Sequence, residues 1–537
     1  MKKLFLSMTA LLAAAAATAQ ETYESATLIN EDLNGTARYV GMGGAMEALG
    51  ADISTMSSNP AGVGLMRHSY VGASGSIVIQ SGVESDATTI LDKCGFENSK
   101  SKVSFDQAGF VYAMQTGRKN FLNFGFNYHK SKNFNQILYA AGALNGLSQD
   151  MVTYNKIEDG VLIVKPGTND EYVSSDETFT QADYLHANTT MRSADDERFY
   201  NAGSYFDFSQ ANRGYIGEYE FNISGNSNNR VFWGVTLGLS DVRYRYDNCY
   251  YEEYQSGYQS ELTDSRKITG YGFDIKAGVI FRPVANSPFR VGLYVHTPTF
   301  YDLKTENITY INTDHEDVSF STGSSSEAYD FRFNTPWKFG VSLGHTVGKE
   351  WAFGLTYEYS DYSTAKFRIK DGGWYSDYYY DYYYDDYYYD DYYAESSYND
   401  AEMNSHVKRT LKGVSLLKLG VEFKPMPTLA LRLGYNWQSP IYKKEGFKDG
   451  AVYSPGTYYT STTAFTNWQD THRITAGVGF KVQKWNFDLA YQYSQTNGEF
   501  YPFAYVGVND ASLDVIPDMT KVSNKRNQIL ATVGYTF

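Results

Sequence analysis

Residues Trp351–Tyr359 read WAFGLTYEY, and the fold turns on that run. Trp351, Phe353, Leu355, Tyr357 and Tyr359 point one way; Ala352, Gly354, Thr356 and Glu358 point the other. Side chains of a strand alternate with period two, so the segment has one apolar and one polar face. Leu429, Leu431, Leu433, Tyr435 and Trp437 alternate likewise with Ala430, Arg432, Gly434 and Asn436. Phe487, Leu489, Tyr491 and Tyr493 do so with Asp488, Ala490, Gln492 and Ser494.

Outward from these runs the theme repeats in roughly fourteen segments of about ten residues or more, the length of tilted transmembrane strands. They begin near His68, Val103, Phe121, Tyr215, Val231, Lys267, Phe289, Phe331, Trp351, Lys408, Leu429, His472, Trp485 and Arg526. Tight turns of Gly, Asn, Pro and charged residues follow at Thr116–Asn120, Asn226–Arg230, Pro283–Pro288, Val347–Glu350, Lys424–Thr428 and Val482–Lys484. Long polar stretches alternate with them: Ser81–Lys102, Asn133–Gly214, Asp247–Arg266, Lys304–Asp330, Ile369–Val407, Tyr442–Thr471 and Asn497–Lys525. Strict alternation of short and long connections is the asymmetry of an outer-membrane barrel, with short periplasmic turns and long external loops. A β-sandwich does not need it, and a solenoid needs a short repeat that is missing. The final segment puts Ile529, Ala531, Val533, Tyr535 and Phe537 on one face. Its terminal Phe537 resembles the signal read by the barrel-assembly machinery of Gram-negative outer membranes. The expectation is an all-β membrane protein: a fourteen-stranded antiparallel transmembrane barrel over residues 68–537.

Composition agrees. The chain carries 50 Tyr and 47 Gly against 12 Pro and 2 Cys, with a formal net charge of −15. That acidity argues against a nucleic-acid partner, whose phosphates need clustered Lys and Arg. Mean hydropathy is negative, but strands with one apolar face escape that average. Lys2 and Lys3, the apolar run Leu4–Ala17 and the A-x-A site at Ala17–Ala19 read as an export signal over residues 1–19, leaving Gln20 first. Cys94 and Cys249 both fall in expected loops, and an oxidising compartment leaves their pairing open.

Two of the loops, 133–214 and 369–407, are the largest. The first is long enough for a small subdomain and holds a helical pattern over Ile137–Met151. The second contains Tyr375–Tyr393, YSDYYYDYYYDDYYYDDYY. It reads as a solvated, flexible loop held open by Asp repulsion; cation binding, haem binding and adhesion are the functional alternatives.

A barrel of about fourteen strands is too wide for its own side chains to fill. Residues 20–67 precede the first strand, and Ala37–Met66, ARYVGMGGAMEALGADISTMSSNPAGVGLM, is Gly-rich and apolar without strand alternation. The expectation is a small, partly helical hatch in the lumen, entering from the periplasmic side. Gly41-Met42-Gly43-Gly44 lacks the preceding strand of a phosphate-binding loop. The eight His residues show no metal-ligand spacing. His296, His345 and His472 lie on strands, but no nucleophile–base pair is legible. No catalytic residue, metal site or cofactor is assigned.

Ala37–Met66, with its GGA run and Ser58-Asn59-Pro60-Ala61-Gly62, resembles the N-terminal hatch of FadL-type outer-membrane transporters. Lys276–Pro283 and Phe289–Thr299 resemble that family's paired central strands, and Thr335–Lys338 followed by Tyr357–Tyr362 the next pair. The style looks most like members from the Bacteroidetes group, some of which carry the label haemin receptor. The resemblance implies passive uptake of hydrophobic small molecules, with long-chain fatty acids as the type substrate and haem as an alternative ligand. It implies a lumenal pocket, a moving hatch and lateral exit into outer-membrane lipid through a kinked third strand. The matching positions are Asn59, Pro60 and Ala61 on the hatch and Gly125 on that strand. Loops are then extracellular and both termini periplasmic.

Overall fold

The computed structural model describes residues 21–162, 180–191, 199–284, 286–316, 321–381, 386–458, 460 and 462–537. The export signal and Gln20 lie outside the described residues. Strands β1 (Tyr70–Ser81) and β2 (Ser101–Gly117) are the first two staves of a barrel. The third is broken into β3 (Asn120–Asn133) and β4 (Gln136–Ala143), both pairing with β5 (Gly203–Ser227). β6 (Val231–Tyr254) and β7 (Gln259–Phe281) follow. Staves seven, eight and nine are also broken: β8 (Arg290–His296) with β9 (Phe300–Thr313), β10 (Thr322–Asn334) with β11 (Lys338–Val347), and β12 (Trp351–Asp361) with β13 (Lys366–Asp381). β14 (Asp386–Asn399) folds back on β13 as a hairpin. β15 (Gly413–Met426), β16 (Leu429–Gln438), β17 (Phe465–Val482), β18 (Trp485–Tyr501) and β19 (Thr520–Thr536) complete the wall. β19 pairs with β1 from Tyr70↔Thr536 to Ser81↔Lys525. The result is a closed antiparallel barrel of 14 staves. Pro298 and Pro336 lie between the halves of staves seven and eight, where a residue without an N–H cannot extend a ladder.

The wall is inside-out relative to a soluble sheet. Along β12 the apolar residues are exposed (Leu355 37%) while Thr356, at 1%, is buried against the lumen contents. The same holds for Leu431 and Leu433 against Arg432, and for Phe487 and Leu489 against Ala490. An apolar belt facing outward is stable only in lipid. No described helix is long and apolar enough to cross a membrane.

Several expected loops are strand. Asp247–Arg266 continues β6 and β7 to a turn at Gly257 (φ +87°), because both strands keep pairing beyond the apolar belt. Lys304–Asp330 likewise pairs through β9 and β10. Ile137–Met151 is not one helix. Ile137 pairs with Ala211 and bonds Gln80 through its N–H, which makes β4, and a helix starts only at Gln149 behind the Ser148 cap. Lys408 belongs to helix Ala401–Thr410, whose N-cap Asp400 accepts the Met403 N–H; the stave starts at Gly413. The described parts of the Tyr/Asp tract are strand rather than open loop: their backbone pairs across β13 and β14, Tyr375 opposite Tyr392 and Tyr380 opposite Tyr387, while residues 382–385 lie outside the described residues. Cys94, which caps helix Ser85–Lys93, is bonded to Cys249, which lies within β6 rather than in a loop.

Residues 21–67 fill the lumen from end to end. Tyr23, in helix Thr22–Ile29, stacks on Tyr442 with centroids 4.7 Å apart, among residues of the long connections. Met66 is held at the other end by Asn123. The hatch therefore runs from the long-loop end to the short-turn end. The described chain starts at the end opposite Phe537, whose N–H meets Ser69 O; this corrects the expectation of both termini on the turn side. The cause is packing: the helix is buried on nearly all sides, and its Tyr23, Ala26, Leu28 and Ile29 find apolar partners in the upper lumen.

Candidate ligand path through the hatch-filled lumen

The long-loop half of the lumen is apolar. Helix Thr22–Ile29 packs among Phe134, Tyr244, Phe331, Phe333, Phe367 and Met403. Its charge is matched where it meets the wall: Glu24 pairs with Arg266, and both are buried. Thr22 Oγ1 lies 2.7 Å from His406 Nδ1, and the Tyr23 hydroxyl donates to Asn467 Oδ1 at 2.7 Å. Beneath the helix a cavity of about 130 Å³ lies between hatch and wall, bordered by Asn30, Asp32, Asn34, Lys132, Trp468 and Arg526.

Asp32 and Asn34 occupy a seam. β2 and β3 pair up to Gln107↔His129, and no pairing of theirs is found beyond it. β2 bulges at Asp106 and β3 at Ser131, where the registers shift against β1 and β5. The hatch bridges the two: Asn34 Nδ2 donates to Asp106 Oδ1 and to Lys130 O, both at 3.0 Å. The Asp32 N–H donates to Ser131 O at 2.8 Å, and Asn133 N–H donates to Asp32 Oδ2 at 3.0 Å. Burial disfavours the ionised Asp32 carboxyl, but Lys132, Arg526 and the Asn133 N–H outweigh it and hold the carboxyl below its usual range. For Asp52 burial wins over Arg38 and the Ser54 N–H, and the carboxyl is pushed up.

The short-turn half of the hatch is clamped to the wall. Its centre is Glu47, which accepts from Lys418 Nζ at 2.8 Å, Thr356 Oγ1 at 2.6 Å and the Tyr39 hydroxyl at 3.0 Å. Asn59 Nδ2 donates to Glu47 O at 2.8 Å, while Asn59 Oδ1 caps Ala61 N–H at 3.2 Å. Asn59 begins the 3-10 turn Pro60–Leu65, as Asp52 begins Ile53–Met56. Wall glycines let the hatch backbone touch the strands. Gly344, Gly354, Gly420 and Gly434 are paired side by side across β11, β12, β15 and β16. A Cβ on Gly354 would lie 1.9 Å from Ala45 O, and one on Gly420 2.3 Å from Met42 O. This girdle escaped sequence reading: one glycine in each of four strands carries no local pattern.

The predicted site residues separate. Asn59, Pro60 and Ala61 lie together and fully buried, against Gly234 of β6 and Gly278 of β7: Cβ atoms there would meet Pro60 C at 2.4 Å and Asn59 Oδ1 at 1.9 Å. Gly125 faces Met56 instead and sits in an unbroken ladder, Val111↔Gly125↔Asn222. The irregular part of stave three lies further along, at Ser131 and at the Phe134–Asn135 break, because the hatch takes over its hydrogen bonds there. His296 Nε2 meets Ser58 O at 2.6 Å and anchors the hatch. His345 lies tilted against Phe289 with centroids 6.2 Å apart, and His472 lies on the outer face beside Tyr435 and Asp470. Sequence reading missed the convergence of His129, Glu218 and Glu220, whose ligand atoms lie within 4.8 Å of one another. Lys276 Nζ occupies the place of a cation there, 2.6 Å from Glu218 and 3.2 Å from Glu220.

No protein-family model matches the chain. No curated protein matches it either. Solved structures do. Over nearly its whole length the chain is similar to toluene transporters. TbuX of Ralstonia pickettii shares 10% identity, with 94% of this chain and 99% of that one covered at a TM-score of 0.47. TodX of Pseudomonas putida shares 10%, covering 95% and 100% at 0.47. A FadL homologue of Pseudomonas aeruginosa shares 10%, covering 97% and 100% at 0.47. At this identity and these TM-scores, what those proteins carry is a property of theirs.

Proposed function

We propose that the protein passively takes up hydrophobic small molecules of the long-chain fatty acid class across a Gram-negative outer membrane, with its long loops outside. The observation that carries this reading is the aromatic lining of the long-loop half of the lumen, Phe331, Phe333, Phe367 and Tyr362 among it. A water-filled pore is lined by polar groups; this one offers apolar contacts worth about 25 cal/mol per Å² of ligand surface buried. Ligand displaces helix Thr22–Ile29 from those contacts and moves down to the cavity beside Asp32 and Asn34.

Exit follows from the seam between β2 and β3. Backbone pairing is absent there, and the strands are bridged by hatch groups and by Lys130 Nζ donating to Ser104 Oγ at 2.7 Å, so a shift of Asp32 and Asn34 loosens the wall toward lipid. Lateral release suits the cargo, since an acyl chain loses free energy in lipid rather than in water. The gap assigned from the resemblance thus moves from Gly125 to Lys130–Asn133. Asn59, Pro60 and Ala61 act as the fixed point about which the upper hatch shifts.

The test is mass spectrometry of small molecules that co-purify with the native protein. Fatty acids or other apolar compounds are expected. Haem without lipid overturns the substrate class, and polar solutes only overturn the uptake reading.

A further inference from the structure

The outer face of the wall carries a second feature, on the long-loop side of the apolar belt. Gly214 of β5 and Gly270 of β7 flank β6, opposite Tyr244 and Val242, with φ of +106° and +154°. Neither position has room for a side chain: a Cβ would lie 1.9 Å from Arg243 O and 2.1 Å from Asp302 O. Two strands bent at glycine around a third leave a concave groove of about 780 Å³ on the outside of the barrel. The ladder beneath it is unbroken, so the groove is a recess and not a hole.

Its lining is richer in cations than the chain as a whole. The protein as a whole has a formal charge of −15. The groove is lined by five cations, among them Arg243, Arg245, Lys267 and Lys304, against three carboxylates, Asp241, Asp302 and Asp330. The side chains of Arg243, Lys267 and Lys304 are 63%, 57% and 50% exposed. Their present partners, Asp241 at 3.1 Å and Glu306 at 3.4 and 2.8 Å, make solvent-exposed pairs of the weak kind. Directly toward the belt stand Tyr271, Phe273, Leu239 and Phe300, all exposed. A recess with cations at its rim and apolar side chains at its foot fits an amphiphile with an anionic head.

We propose that this groove binds the phosphorylated headgroup of a glycolipid of the outer leaflet. Phosphates sit between Arg243, Lys267 and Lys304, the sugar lies over the glycine-floored recess, and the acyl chains run down Phe273 and Leu239; Arg245 stays with the buried Asp247 at 3.1 Å. The proposal rests on the outer-membrane reading with the long loops outside, and it is tested apart from that reading. The full-length protein is extracted in detergent and offered purified bisphosphorylated lipid A or its dephosphorylated form, and bound lipid is counted by native mass spectrometry. The wild type is expected to retain the phosphorylated form at least about tenfold better. Arg243→Gln combined with Lys304→Gln is expected to lose that preference while keeping heat-modifiable migration and uptake. Equal retention of the dephosphorylated lipid, or a preference unchanged in the double variant, overturns the groove. Recovery of the protein outside the outer-membrane fraction would overturn the localisation, a separate result.

Discussion

Lys418 of the wall donates to Glu47 of the hatch at 2.8 Å, and both side chains are buried. Removing the lysine leaves a carboxylate facing only Thr356 and Tyr39. Loss of one partner of a buried ion pair costs about 3–5 kcal/mol. Lys418→Met is expected to loosen the hatch without unfolding the barrel, read as higher single-channel conductance in planar bilayers with unchanged heat-modifiable migration. Adding Glu47→Leu should bring conductance back toward the wild type, because the orphaned charge is gone.

The glycine girdle sets a steric limit. Gly354→Val places a side chain where Ala45 O now sits, and overpacking of this kind costs about 1–3 kcal/mol. The barrel should still close, since β12 keeps its pairing with β11 and β15 and valine favours strands. The hatch should become cleavable by protease within residues 41–50, which is read by mass spectrometry of the fragments.

Ala61 is fully buried where the hatch meets Gly234. Ala61→Phe is expected to change uptake of a radiolabelled fatty acid at least about threefold, with barrel folding intact, by a packing cost of the same order. Unchanged uptake would reduce this segment to a passive stopper.

Asp32 gives the seam a pH dependence whose sign is fixed. Its folded pKa is depressed, so its contribution is fully present above the unfolded value of about 3.9 and is lost as pH falls through the lower folded value. Conductance should stay flat from pH 7 to about 4 and rise only below that range. Asp32→Asn is expected to raise it already at pH 7 and to flatten the acid limb.

The Cys94–Cys249 bond closes a sequence separation of 155 residues and ties the first long connection to β6. A bond of this kind contributes about 2–4 kcal/mol. The paired change Cys94→Ala and Cys249→Ala should leave the wall intact and expose helix Ser85–Lys93 to protease, and reductant should do the same to the wild type.

The staves were legible because a membrane wall imposes one rule on every strand. Leu355 must face lipid and Thr356 must not, whatever the neighbours, so period two survives in the sequence of each segment. Strand ends beyond the belt were not legible. Gln259–Arg266 is polar apart from Leu262 and is strand only because β6 and β9 pair with it. The resemblance puts the gap at Gly125, and a glycine in a strand signals irregularity. The irregularity lies at Ser131, where no residue type marks it and the cause is Asn34, about a hundred residues away in sequence.

By itself the sequence determined the number of staves, the sense of the asymmetry between turns and loops, and the presence of a non-strand segment ahead of the wall. These are properties of local pattern, repeated wherever lipid meets the chain. Only the tertiary structure decided where that segment goes. Helix Thr22–Ile29 rises to the long-loop end because its apolar face finds Tyr442 and Phe465 there. Asp32 and Asn34 complete the seam because the Lys130 and Ser131 carbonyls and the Asp106 carboxylate meet them there, and the Gly41–Ala61 ribbon sits low because four paired glycines admit it. Each of those contacts joins residues distant in the chain, and no local period records them.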